Sequence, residues 1–278
     1  MDIIYPGLND FLLAALREDI GTGDVTAGCC VPEDARSAGR FIAKEPGVIS
    51  GLGVMAGLFK LLDADILITP LLGDGDIVGV GDVIAEISGR SRSILTGERT
   101  ALNLLQHMSG VATRTSEAVK AVSGTKTRIV DTRKTTPGLR ALDKYAVRCG
   151  GGSNHRFNLS DGVLIKDNHI VAAGSIANAV AQARINCPLT LRVEVEAETI
   201  GQVSEALAAG ADIIMLDNMQ LDTMAEAVKL IDGRALVEAS GNMGDRDLKA
   251  VAETGVDFIS IGALTHSVKA LDISLRFA

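Results

Sequence analysis

The sequence predicts an α/β protein: an incomplete, open α/β barrel preceded by a smaller β-rich domain. Three observations carry this. After Gly124, apolar stretches of strand length alternate with stretches of helical spacing. The apolar stretches are nearly continuous in Val, Ile and Leu, which suits parallel strands covered on both faces. Lys166, Asp217, Ser240 and Gly262 each fall at or just past a strand's carboxyl end, where α/β barrels keep their chemistry. About six strands are visible instead of the eight of a full barrel, so the barrel is read as incomplete.

Taken in order, residues 8–17 carry an apolar stripe at helical spacing, ended by Gly21 and Gly23. Short strand-like runs follow at 38–43, 47–50, 66–71 and 77–87, with a helix over 55–62 between them. The fragment 76–89 reads as strand, Gly-Asp turn, strand. Such hairpins also occur in swinging-arm lipoyl carriers, but no Lys stands at the tip. Residues 96–122 form one long helical stretch, with Thr96 placed to cap its first turn and Gly110 placed to break it. The strands of the barrel are expected at 127–131, 162–166, 191–195, 212–216, 235–238 and 257–261, with helices over 175–184, 199–209, 221–231 and 245–253. Residues 210–217 echo 255–262, each a helix-ending Gly feeding a buried strand. The domains divide as 1–110 and 111–267, with the tail 268–278 returning to pack on the first.

Composition narrows the function. With 278 residues, 47% hydrophobic and only 3% aromatic, the chain can build a sizeable core of Ala, Val, Ile and Leu. A net charge of −8 speaks against nucleic-acid or acidic-membrane binding, which needs a wide positive field. No apolar run approaches a membrane span, and residues 1–6 lack the basic start of a signal peptide, so a cytoplasmic protein is expected. Cys29, Cys30, Cys149 and Cys187 contain no C-x-x-C pair and read as reduced thiols. Cys149 is the one to weigh as a nucleophile.

Against this acidic background the positive charge is gathered in one place. From Arg128 to His169 there are eight Lys/Arg against four Asp, while the rest of the chain has 19 against 31 Asp/Glu. His155 and His169 sit in the same stretch, beside Gly150-Gly151-Gly152. Guanidinium forks grip carboxylates and phosphates bidentately, and ammonium groups act as mobile point charges. Arg133-Lys134 and His155-Arg156 therefore suit a small polyanion, the alternative being an ordinary solvated face.

Glu194 and Glu196 lie two apart on one face of a strand. With Asp217-Asn218, Glu196 offers hard oxygen ligands of the kind Mg²⁺ takes together with substrate phosphates. Equally, these carboxylates could pair with Arg or Lys across the mouth. Small-residue loops at 238–242 and 260–263 follow late strands, the usual place for a phosphate on backbone N–H groups.

These residues carry a resemblance. Glu98-Arg99-Thr100-Ala101-Leu102-Asn103, Met108-Ser109-Gly110-Val111-Ala112-Thr113, the 132–169 stretch with TRKTTPGLR, CGGGSNHR and LIKDNH, Glu194-Val195-Glu196, Leu216-Asp217-Asn218, Glu238-Ala239-Ser240-Gly241 and residues 260–265 resemble quinolinate phosphoribosyltransferase, also called nicotinate-nucleotide pyrophosphorylase (carboxylating). The match runs in order over nearly the whole chain. It implies an N-terminal α/β sandwich joined to the open barrel, and a homodimer in which Arg99 is supplied across the interface; whether dimers assemble further stays open. It implies transfer of phosphoribosyl from phosphoribosyl pyrophosphate (PRPP) to quinolinate with decarboxylation, in NAD synthesis. Carried over, Arg133, His155, Arg156, Lys166 and Arg99 hold the quinolinate carboxylates, Lys134 lies near PRPP and its pyrophosphate, and Thr132 belongs to the substrate-binding set. Glu196 and Asp217 take the ribose hydroxyls and Mg²⁺, while Ser240, Gly241, Asn242, Gly262 and Ala263 cradle the 5′-phosphate. Lys134, Lys166, Glu196 and Asp217 are the catalytic set. Many members have Gly where this chain has Asn242. Two rivals are a molybdenum-transport-associated relative sharing the TRK segment, and an aldolase using Lys166 as a Schiff-base lysine.

Overall fold

The computed structural model describes residues 5–277; residues 1–4, read above for a targeting signal, and residue 278 lie outside it. The chain runs α1 (Leu8–Ile20), α2 (Val25–Cys30), β1 (Arg36–Ala43), β2 (Gly47–Val48), α3 (Leu52–Leu62), β3 (Leu67–Pro70), β4 (Ile77–Val78), β5 (Val83–Arg90) and α4 (Ser91–Ala121). It continues with β6 (Arg128–Val130), α5 (Arg140–Cys149), β7 (Val163–Ile165), α6 (Asp167–Ala173), α7 (Ile176–Asn186), β8 (Val193–Ala197), α8 (Ile200–Ala208) and β9 (Ile213–Asp217). Then come α9 (Leu221–Ile231), β10 (Leu236–Ser240), a 3-10 turn at Met243–Asp245, α10 (Leu248–Glu253), β11 (Phe258–Ser260), α11 (Ala263–His266) and β12 (Ile273–Phe277). Among the described residues two compact units result: one up to Ser116 with Thr136–Gly151 and the stretch from Val268, and one of Glu117–Thr135 with Gly152–Ser267.

In the first unit the strands β12-β1-β5-β3 form an antiparallel sheet, and β2 pairs with β4. Its core is aliphatic, with Phe41 and Phe59 in tilted contact at 6.4 Å between ring centres and Met55, Leu58, Ile84 and Leu105 fully buried. The chain's last strand, β12, lies antiparallel to β1, with Phe41 opposite Leu275.

Three local expectations are corrected here. The Gly-Asp fragment does not turn a hairpin: β4 pairs with β2, whereas β5 pairs with β1 and β3. The turn is instead tied to the end of β1, where Ala43 and Gly81 donate to the carbonyls of Asp82 and Ala43. Gly110 does not break α4, which is continuous over 31 residues. A Cβ there would lie 2.3 Å from the Lys269 carbonyl oxygen, so this glycine permits backbone to pass close by. Thr96 does not cap α4 either, since the helix starts at Ser91 and the Thr96 hydroxyl donates to Asp24. Helix α5 was not foreseen. It buries Asp143, Lys144 and Tyr145 beside apolar neighbours, with Asp143 2.6 Å from His107 Nε2 and the Tyr145 hydroxyl donating to Asp74.

The second unit is a parallel sheet in the order β6-β11-β10-β9-β8-β7. Six strands with helices between them make the α/β architecture expected, and β6 and β7 form the two ends of the hydrogen-bonded order. The strands read as buried runs because both faces are covered: β8 has one intermediate residue and β10 two, at its ends, and none is exposed. Helix starts follow local rules, with a capping box at Thr199 and Gln202 and side-chain caps at Ser175 and Asp247. The echoing Gly210 and Gly255 both take left-handed φ, 81° and 93°, which a Cβ would penalise. No helix of the described residues is long and apolar enough to cross a membrane.

Candidate active site

The register of the parallel sheet decides what faces its interior. Paired residues of adjacent strands share a face, and the face alternates along each strand. Glu194 stands opposite Ile213, Glu196 opposite Met215, Glu238 opposite Met215, and Ser240 opposite Asp217. One face of β8, β9 and β10 therefore carries Glu194, Glu196, Asp217, Glu238 and Ser240, with Glu196, Asp217 and Ser240 at the carboxyl ends and Glu194 and Glu238 deeper along the strands.

A cavity of about 320 Å³ opens on that end. Its lining includes Thr132, Arg133, Lys134, His155, Arg156, Lys166, Asp217, Ser240, Gly241 and Asn242. The four cationic groups expected to meet the quinolinate carboxylates within one chain thus share one hollow. Glu196 reaches it through Lys166, whose Nζ lies 2.5 Å from Glu196 Oε2. Gly262 touches it through Lys134, whose Cδ lies 3.1 Å from the position of a Gly262 Cβ. Ala263 begins α11 directly after Gly262. Arg99 is an exposed residue of α4, in the first unit.

Local structure fixes each group. Lys134 N–H donates to the Thr132 hydroxyl, and the Thr265 hydroxyl donates to the Lys134 carbonyl, so the loop after β6 is held from both sides. Lys166 follows β7 and caps α6, its own N–H donating to His169 Nδ1. Asp217 ends β9 and accepts from Asn218 Nδ2 at 2.7 Å. Gly241 is required by crowding as well as by its φ of 93°: a Cβ would fall 2.2 Å from Asn218 Oδ1 and 2.7 Å from the Asn218 nitrogen. Asn242 has φ 50°, the left-handed conformation that glycine adopts freely and asparagine tolerates best among the rest.

Three buried carboxylates surround His155, Glu238 alone among them lining the hollow, and the sequence gives none of them a role. Asp131, fully buried, accepts His155 N–H at 2.9 Å and Asn154 Nδ2 at 2.5 Å. Glu194 and Glu238 each place an oxygen 3.2 Å from His155 Nε2. Burial works against a charged His155 ring, but the bonds to Glu194 and Glu238 outweigh it and raise the group to about 10. Arg156 N–H donates to His155 Nδ1 at 2.8 Å. That bond uses the bare Nδ1 of the Nε2–H form; in the cationic form, which the raised value favours at neutral pH, Nδ1 carries a proton too, and Nε2–H faces the two carboxylates in either form. Burial and the nearby Glu194 raise Glu238 to about 7. Burial and the neighbouring Arg133 guanidinium lower Arg156 from its ordinary value. In the first unit, burial raises the Cys149 thiol, which removes the case for a thiolate nucleophile.

Clustered cations and strand-end carboxylates at the carboxyl ends of parallel strands define an α/β enzyme acting on a small polyanion. Comparison with known proteins makes that class particular. Residues 24–109 match the quinolinate phosphoribosyl transferase N-terminal domain and residues 111–276 the C-terminal domain of the same family. A Bacillus subtilis protein described as a probable nicotinate-nucleotide pyrophosphorylase (carboxylating) is 48% identical over 268 residues, covering 96% of this chain and 91% of its own. A Nicotiana tabacum quinolinate phosphoribosyltransferase (decarboxylating) is 42% identical, covering 97% and 82%. The crystal structure of NadC from Streptococcus pyogenes superposes with a TM-score of 0.93 at 45% identity over 100% of this chain and 99% of that one. The chain belongs to the quinolinate phosphoribosyltransferase family.

Proposed function

We infer that the chain transfers the phosphoribosyl group of PRPP to quinolinate with loss of CO₂, giving nicotinate mononucleotide and pyrophosphate for NAD synthesis. The observation that carries this reading is the convergence of Arg133, His155, Arg156 and Lys166 on one hollow at the carboxyl ends of the strands, in a chain of that family. A dicarboxylate needs at least two cationic contacts on one side and a pyrophosphorylated sugar needs more beside it. This hollow has both.

Breaking the bond between C1 and pyrophosphate leaves positive charge on the ribose and negative charge on the departing group. Catalysis of such a step rests on positioning and on charges fixed in advance. Arg133, Arg156 and Lys166 orient quinolinate, joined by Arg99 of the partner subunit in a homodimer; His155 contributes to the same wall. Lys134, with Thr132 fixing its backbone, faces the pyrophosphate. Ser240, Gly241, Asn242, Gly262 and Ala263 offer small side chains and backbone N–H groups to the 5′-phosphate. No covalent nucleophile is needed, and Lys166 is engaged with Glu196 as an ion-paired ammonium instead of a Schiff-base amine. Once the ring nitrogen is ribosylated, the pyridinium accepts the electrons released as the adjacent carboxylate leaves.

Glu196 and Asp217 lie on neighbouring strands, on one face, two register steps apart. Their hard carboxylate oxygens fit Mg²⁺, which favours one or two protein carboxylates plus substrate oxygens. Bound there, the ion would neutralise charge on the pyrophosphate leaving group. We place the reaction in the cytoplasm, in keeping with the acidic surface and the small soluble substrates.

Purified protein given quinolinate, PRPP and Mg²⁺ should release CO₂ and pyrophosphate in equal amounts, and a chelator should stop both. Turnover of nicotinate but not quinolinate would overturn the reading, as would a borohydride-trapped adduct at Lys166.

A further inference from the structure

Two carboxylates buried within one sheet face are costly unless something repays them. Glu194 and Glu238 are 4% and 0% exposed, and one oxygen of each, Oε1, has no hydrogen-bond partner. They stand on β8 and β10 with β9 between them. Their other oxygens converge on a single atom, His155 Nε2. Neither residue is part of the substrate-binding or metal-binding set, so the reaction described above does not account for them.

What they hold is a chain of bonds ending at a guanidinium. His155 Nε2 lies between the two carboxylates, and its Nδ1 accepts the Arg156 N–H. The His155 N–H is anchored to Asp131 on β6's exit. Arg156 Nη1 donates to the Gly162 carbonyl at 3.0 Å, which fixes one edge of the guanidinium while the residue lines the mouth. Glu238 lines the mouth, Glu194 lines a second cavity at the other end of the strands, and His155 and Arg156 line both. His155 is therefore the partition between the two spaces, and both of its ring nitrogens are engaged.

We propose that Glu194 and Glu238 are positioning residues for quinolinate, seating the His155 ring and through it the Arg156 backbone and guanidinium that grip a substrate carboxylate. The three groups also have ligand atoms within 4.8 Å of one another, close enough for a metal ion. An ion there would have to displace the Nε2 proton that the two carboxylates share. The alternatives differ in what occupies the gap: a proton of the ring, or a cation from solution.

This rests on quinolinate being the substrate, and the test separates the two. Glu194→Gln, Glu238→Gln and the double variant keep shape and hydrogen bonding but remove charge. In the double variant the quinolinate KM should rise about tenfold or more, with the PRPP KM changed less than about twofold and kcat falling less than the ratio kcat/KM. Before any substrate is added, the His155 Nε2 proton should give a hydrogen-bonded NMR signal in the metal-free native protein, and that signal should shift in each single variant. Equal changes in both KM values, no change in either, an unmoved His155 signal, or a signal that disappears on adding Mg²⁺ or Zn²⁺ would overturn the proposal. A double variant that does not fold leaves the single variants and their NMR signal as the deciding measurement. Failure of the native protein to turn over quinolinate would refute the functional reading instead, and leaves the NMR result standing.

Discussion

Burial first, and then the nearby Arg133 guanidinium, depress Arg156. Like charges held together in a partly buried hollow are unfavourable until an anion arrives, so part of the substrate's binding energy is relief of that repulsion. Arg133→Ala removes a charge-assisted contact of about 1.5–3 kcal/mol, and the quinolinate KM should rise roughly tenfold or more. The same substitution also relieves Arg156, so the effect should sit towards the lower end of that range. Steady-state kinetics with quinolinate varied at saturating PRPP checks it, and an unchanged KM contradicts the role. At this scale the cationic side was legible in the sequence, because Arg133, Lys134, His155, Arg156 and Lys166 stand out in type and spacing against an acidic chain. The anionic wall was not. Glu194 was visible as the partner of Glu196, and Glu238 lay within a quoted motif, but that both face one histidine depends on strands far apart in sequence. Spacing within one strand cannot report it.

Between elements, glycine is the residue whose meaning sequence leaves most open. Gly110 carries opposite expectations on helix propensity and on packing. Alanine is favoured over glycine in a helix by about 1 kcal/mol, which predicts that Gly110→Ala stabilises α4. Contact predicts the reverse, since the added Cβ would sit 2.3 Å from a backbone oxygen, at Lys269, that cannot swing aside as a side-chain tip does. Overpacking of this kind costs about 1–3 kcal/mol, so contact wins and Gly110→Ala should lower Tm with helix content retained. A higher Tm would show that the tail residues yield. The missed elements have a similar origin. Helix α5 lies inside the basic stretch, where Arg and Lys suggest a binding segment, yet Lys144 is 3% exposed and Asp143 is 0% exposed. Charged side chains hidden by packing look, in a sequence, like charged side chains offered to a ligand. By contrast α9, Leu221–Ile231, needed only its apolar stripe and came out with the bounds expected.

For the whole molecule, the decisive question is where Arg99 acts. It belongs to the first compact unit, and the cationic mouth belongs to the second. The proposed homodimer with Arg99 donated across its interface makes each active site a product of two chains, and that arrangement has a signature no single-chain site can imitate. Arg99→Ala and Arg133→Ala should each lose most activity at low quinolinate, because each removes a guanidinium from every site. Mixed after mild dissociation and reassociation, half of the dimers are hybrids. In a hybrid one site lacks both arginines and the other has both intact, so a 1:1 mixture should regain about a quarter of native activity by statistics alone. A site built within one chain would gain nothing on mixing, since every chain would still carry one damaged residue in its own site. The measurement is initial rate against the mixing ratio, with a maximum at equal amounts and none for either variant alone. A flat response, in a mixture shown by native mass spectrometry to contain hybrids, would place Arg99 outside the partner's site and leave the mouth to its own four cations.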